Sequence, residues 1–168
     1  MSQLTDLLMN EHEVIKNAGN TIVSLNKKWE SDELLYKEKV KKLLDFFRTY
    51  ADKYHHFKEE EVVFPYINNH PDFVLQEMID EFNVHHEDFR EYAHDIEENI
   101  EAGDYEKAYV LLNKYFNELQ DHIAAENEEL FVLIDTLLTE NELETLYYKC
   151  LDIDRELGED KKLAFESC

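Results

Sequence analysis

HHFKEEEVVF, residues 55–64, and HIAAENEELF, residues 122–131, align without a gap. Each opens on a histidine and carries a glutamate at the fourth residue after it, pairing His55 with Glu59 and His122 with Glu126. On an α-helix, positions four apart lie one above the other on the same face. Each segment therefore reads as a helix that turns an imidazole and a carboxylate to one side. Both segments sit in apolar stripes: Leu43, Phe47, Ala51, His55, Glu59 and Val63 step by four, and Leu112, Phe116, Leu119, His122, Glu126, Leu130 and Leu133 step by three and four. Such spacing marks the core-facing side of an amphipathic helix.

Working outward, two further helices carry one core-facing histidine each. The first stripe is Leu4, Leu8, His12, Ile15, Gly19, Ile22, within a helix predicted from about Ser2 to Trp29. The other is Ile79, Phe82, His86, Phe89, Ala93, Ile96, Ile100, a heptad-like alternation. The pattern along the chain is thus His, then His-x-x-x-Glu, stated twice.

Punctuation between the stripes sets the expected boundaries. Ser31 is placed to cap a second helix beginning at Asp32, and Pro65 to kink or end it. Pro71 suits the first position of the third helix. Gly103 ends that helix and Asp104 caps the fourth. Thr139 with Glu142 reads as a capping box for a shorter fifth helix, and Gly158 breaks the tail. Only 3 glycines and 2 prolines in 168 residues leave too few turn residues for a sheet protein of this size. The expectation is an all-α fold, an antiparallel up-down-up-down four-helix bundle with a shorter C-terminal helix. One domain spans residues 1–168, with the bundle over about 2–138 and the C-terminal helix and tail over 139–168.

Charge narrows the function classes. Against 17 basic residues stand 40 acidic ones, a net charge of −23, which repels nucleic acid and anionic membranes. No apolar window is long enough to span a bilayer, and the start lacks a basic end followed by an apolar run, so no signal peptide is expected. The 2 cysteines, Cys150 and Cys168, fit neither a metal spacing nor a disulfide framework. A cytoplasmic protein is expected. There is no Ser/His/Asp or Cys/His nucleophile arrangement and no glycine-rich phosphate loop.

A single histidine on an apolar stripe is more often a core residue bonded to a neighbour. Here four helices each bring one to about the same depth, and two add a glutamate. A buried glutamate without a partner costs several kcal/mol, so the pair calls for a cation or a proton. His12, His55, Glu59, His86, His122 and Glu126 are the candidate metal ligands. Mixed imidazole and carboxylate donors without thiolates suit iron better than a structural zinc; manganese or an iron–manganese pair satisfies the same donors. His56 with Glu60 has the same spacing as His55 with Glu59. The apolar period favours the latter, since the His56 phase would place Arg48 and Asp52 on the core face. His56, His70, His85 and His94 are expected at the surface or behind the ligands.

NEHEVIK, HHFKEEEVVFP, HHEDFREY and HIAAENEELF resemble the successive motifs of the hemerythrin-like (HHE cation-binding) family, over roughly residues 5–135. The resemblance implies two iron ions, oxo- or hydroxo-bridged, with Glu59 and Glu126 as bridging carboxylates and the four histidines as terminal ligands. Oxygen carriers of that family use an H-x-x-x-H pair on the third helix. Here Arg90 takes the second place after His86, and a guanidinium stays protonated. The chain thus resembles the four-His, two-Glu branch, which is similar to proteins that repair iron centres. Those relatives carry a further cysteine-bearing N-terminal segment that is not found here, which turns the expectation toward stress or gas chemistry. The implied function is a di-iron protein that binds or reduces oxygen, nitric oxide or peroxide. The alternative is an iron- or oxygen-sensing or oxygen-binding module without turnover.

Overall fold

A computed structural model describes residues 1–167, whose regular structure is helical, with no strand among them. Helix α1 (Gln3–Ser24) starts on Ser2, whose hydroxyl accepts from the Thr5 amide. It stops short of the expected end at about Trp29. Lys27 takes a left-handed conformation, φ 56°, and starts a single extra turn, α2 (Lys28–Ser31). The cap of α3 (Glu33–Phe46) is Asp32, not Ser31: its carboxylate accepts from the Leu35 amide.

The next stretch departs from α geometry. Phe47–His56 and Glu59–Val63 are π-helical, and α4 (Phe64–Asn68) completes the helix. Pro65 therefore does not end it; it sits where the π segment passes into α4. Pro71 is likewise not the start of the third helix. It lies in a turn, and α5 (Gln76–Glu101) begins five residues later. Gly103 (φ 78°) and Asp104 divide α5 from α6 (Tyr105–Ala125) as expected. A third π segment, Glu126–Leu130, precedes α7 (Phe131–Leu137). Thr139 and Glu142 form both bonds of a capping box at α8 (Glu140–Leu157), and Gly158 (φ 110°) turns the chain into α9 (Glu159–Glu166).

Helix α5 packs along α6, α1 packs on α6 and on the 47–56 segment, and that segment packs on α5. The contacts close into a ring of four long helical stretches. Helix α8 lies against α1 and both π segments of the second stretch, and α9 against α8 and residues 47–56. Gly19 lets α1 approach α6, because a Cβ there would meet Phe116 at 2.6 Å.

The core divides into two apolar clusters. One includes Ile15, Ala51, Phe89 and Leu119; the other includes Leu8, Val63, Phe82 and Leu130. His12, His55, Glu59, His86, His122 and Glu126, each flanked in sequence by a member of either cluster, form a buried polar layer between them. Among the described residues, no helix is long and apolar enough to cross a membrane. Cys150 is buried, with burial pushing its thiol up to about 12, so it stays protonated. Cys168 lies outside the described residues.

Candidate metal centre

The three π segments explain how the centre is built. A π turn carries more residues than an α turn and rotates the following side chains relative to the α period. One π segment closes on His55 and His56; the other two begin at Glu59 and Glu126. The near-repeat in sequence is thus a repeat in backbone geometry, with a π turn opening at each glutamate.

All six candidate ligands are buried, at 2% exposure or less. Their donor atoms fall into two groups, each with its atoms within 4.8 Å of one another. His12, His55, Glu59 and Glu126 make the first group; His56, Glu59, His86 and His122 make the second. Glu59 belongs to both. Glu126 reaches across as well, with Oε1 3.2 Å from His12 Nε2 and 3.1 Å from His122 Nε2. Glu59 lies 3.7 Å from His55 Nε2 and 3.3 Å from His86 Nε2.

His56 is the residue that the sequence reading missed. Expected at the surface or behind the ligands, it is 2% exposed, and its ring stacks on that of His86 with centroids 3.9 Å apart. Helical periodicity of 3.6 residues cannot put His55 and His56 on one face, since a step of one residue turns a side chain by about 100°. The π segment that ends on them shifts the phase of the side chains, and both histidines enter the donor groups. The only signal in the sequence was the doubled histidine itself. Glu60, the other member of the alternative pair, is half-buried and turned toward Arg90. His85 is half-exposed with its Nδ1 3.0 Å from His122 Nδ1, while His94 is exposed beside Glu98 and His70 accepts from the Asp72 amide near the surface.

Behind four of the five histidines stands a polar partner on the Nδ1 side, while His122 faces His85 there. Asn127 Oδ1 is 2.7 Å from His12, Glu11 is 3.0 Å from His55 and Asp52 is 3.3 Å from His56, while Glu60 lies 3.4 Å from His86 Nδ1 without a hydrogen bond. An acceptor at Nδ1 holds the proton there and leaves Nε2 as the free donor to a metal. Arg90 ties two of these partners together. Its Nε and Nη2 grip Asp52 at 3.0 and 2.8 Å, and Nη2 also meets Glu60 at 2.5 Å. Burial would raise the Asp52 carboxyl, but His56 and Arg90 hold it down at about 2.

Whether this pocket fits a metal is decided by its unmet polar atoms. Both oxygens of Glu59 and of Glu126, and Nε2 of His12 and of His55, are buried with no hydrogen-bond partner. Leaving several such atoms unpaired costs far more than the few kcal/mol of a typical buried polar defect. Without a cation, burial and the facing Glu126 drive the Glu59 carboxyl well up. Burial pulls Glu126 the same way, but His122, the Glu59 carboxyl and His12 hold it well down. The two carboxyls are thus pushed in opposite directions, as happens when two acids share one buried site. Burial and the neighbouring His12, working against Glu11, lower His55 to about 4, so it is a neutral donor. Cations placed between the two carboxylates and the five imidazoles would satisfy every one of these atoms.

A cleft of about 860 Å³ between α5 and α6 reaches His85 and His122 from outside. Glu77, Glu81, Asp88, Glu118, Asp121 and Glu129 line it, a rim that concentrates cations.

The model of the hemerythrin HHE cation binding domain matches residues 3–134. No curated protein and no solved structure matches the chain.

Proposed function

The chain belongs to the hemerythrin HHE cation-binding domain family, and on that premise we propose that it holds two iron ions and uses them to bind or reduce a small ligand such as oxygen, nitric oxide or peroxide. The reading takes residues 1–168 as one domain, with α1, the α3–α4 stretch, α5 and the α6–α7 stretch as an antiparallel four-helix bundle around the centre. The observation that carries it is Glu59, shared by two overlapping donor groups. One carboxylate common to both groups is what a pair of cations needs and a single cation does not. Iron suits the donor set of imidazole and carboxylate, and bound iron supplies one-electron chemistry and a position for a small exogenous ligand.

The chain's own residues prepare the site unequally. With Arg90 in the place of a further histidine, the sequence reading gave four histidines for the two ions. With His56 inside, one group counts three histidines and the other two. The group of His12 and His55 offers fewer nitrogen donors, and the reading assigns the small ligand to it. Phe131 stacks against His12, and Phe64, Phe82 and Phe89 crowd His86 and His122, which keeps bulk water from the layer.

Titration of anaerobic, ferrous-loaded protein with nitric oxide tests the proposal. One equivalent per chain is expected to bind before any second. Failure of the loaded protein to react with nitric oxide, oxygen or peroxide would overturn it.

A further inference from the structure

Tyr50, Tyr54 and Lys58 step by four along the side of the π-helical stretch that faces away from the centre. Each is bonded to the C-terminal helices. The Tyr50 hydroxyl donates to Glu166 at 2.7 Å, that of Tyr54 to the carbonyls of Leu157 and Gly158 at 3.0 and 2.7 Å, and Lys58 Nζ meets Asp154 Oδ1 at 2.6 Å. Lys58 is fully buried, and it does not stop at Asp154. Its ammonium also reaches Glu11 Oε2 at 2.5 Å, while Lys162 of α9 lies 2.8 Å from the same oxygen and 2.9 Å from Asp154 Oδ2. Glu11, Lys58, Asp154 and Lys162 thus form a closed ring of alternating charges, two of each sign, each at most 7% exposed. The remaining oxygen of Glu11 is the acceptor at Nδ1 of His55.

We propose that Asp154 and Lys162 are positioning residues for the metal centre, holding His55 in its ligating orientation through Lys58 and Glu11. This rests on the reading of His55 as a ligand. The family match ends at residue 134, so half of the ring comes from a segment outside it. The physical argument is one of competition. Glu11 Oε2 is occupied by two ammonium groups, which fixes the carboxylate plane and leaves Oε1 aimed at the imidazole. With Lys162 and Asp154 removed, Lys58 has Glu11 as its single counter-charge and can draw either oxygen, so the bond to His55 loses its fixed direction. Because coupling between sites is reciprocal, metal at His55 also favours the docked position of α8 and α9. The C-terminal helices then report on the centre, rather than merely covering one side of it.

The test is proton magnetic resonance of ferrous-loaded protein in water, where the Nδ1–H of each ligating imidazole gives a displaced, exchangeable signal. The variants are Asp154→Asn/Lys162→Met, which removes one charge of each sign, and Lys162→Arg, which keeps the charge. In the double variant one signal, that of His55, is expected to exchange with solvent at least about ten-fold faster, the lower end of what loss of such a partner does to a metal site. The other signals should stay in place, and Lys162→Arg should restore the first. If the double variant does not fold, Lys162→Gln is read the same way. Unchanged exchange at His55, or equal loosening of all the ligand signals, would overturn the proposal. Wild-type protein without any displaced signal would instead overturn the metal-centre reading on which it rests.

Discussion

The imidazoles of His56 and His86 stack with centroids 3.9 Å apart and planes 15° from parallel, although His56 is a chain neighbour of His55 and one face of an α-helix cannot carry both. The pairing puts His56 inside the centre, so His56→Ala is expected to weaken iron retention. Glu59→Ala should be worse, because Glu59 belongs to both donor groups, and Glu60→Ala should be mild. Iron content after dialysis against a chelator ranks the three. Equal loss from Glu59→Ala and Glu60→Ala would show that the shared carboxylate is misassigned.

Arg90 braces two histidines at once, through Asp52 and Glu60. Arg90→Ala is expected to keep the fold and to release iron about 10–100-fold faster. Arg90→Lys should recover little, since a point charge cannot grip Asp52 through two nitrogens. Rates of iron transfer to a chelator decide it; full rescue by lysine would mean that only the net charge matters.

Much of this was readable in advance, and the failures have separate causes. The capping box at Thr139, the break at Gly103 and the depth of the polar layer follow from local chemistry and the α period, and all are present. The inward turn of His56 does not follow, because a π segment has no compositional mark that distinguishes it from an α-helix. Boundaries at Ser31 and Pro71 were missed for a different reason. Either residue could cap or start a helix, and the choice of Asp32 and Gln76 depends on how the connecting turns meet the packed helices. The ring of Glu11, Lys58, Asp154 and Lys162 joins residues up to 151 positions apart, from Glu11 to Lys162, and no periodicity signals it.

The close approach at Gly19 makes a stability prediction. Gly19→Leu would force Phe116 from its place between α1 and α6, and overpacking of this kind costs about 1–3 kcal/mol. Urea unfolding monitored by circular dichroism measures it. An unchanged midpoint would show that the two helices have slack at this crossing.

Metal-free protein should be acid-labile. Burial lowers His55 to about 4 and also lowers His56 and His86. The unfolded chain takes up protons near 6.5 that the folded histidines refuse, so their contribution is full above that pH and is lost as pH falls toward 4. Glu59, raised by burial and Glu126, works in the opposite sense, one group against three. Thermal melts of chelator-treated protein between pH 7 and pH 4.5 should show a falling midpoint; a rising one would contradict these shifts.

The central claim is a dinuclear iron centre, and counting metal tests it most directly. The protein is reconstituted with ferrous iron under anaerobic conditions, freed of unbound metal, and analysed for metal per chain in the presence of competing zinc. The two donor groups that share Glu59 predict close to two iron atoms per chain. A value near one, or stable replacement of iron by zinc, would contradict the account.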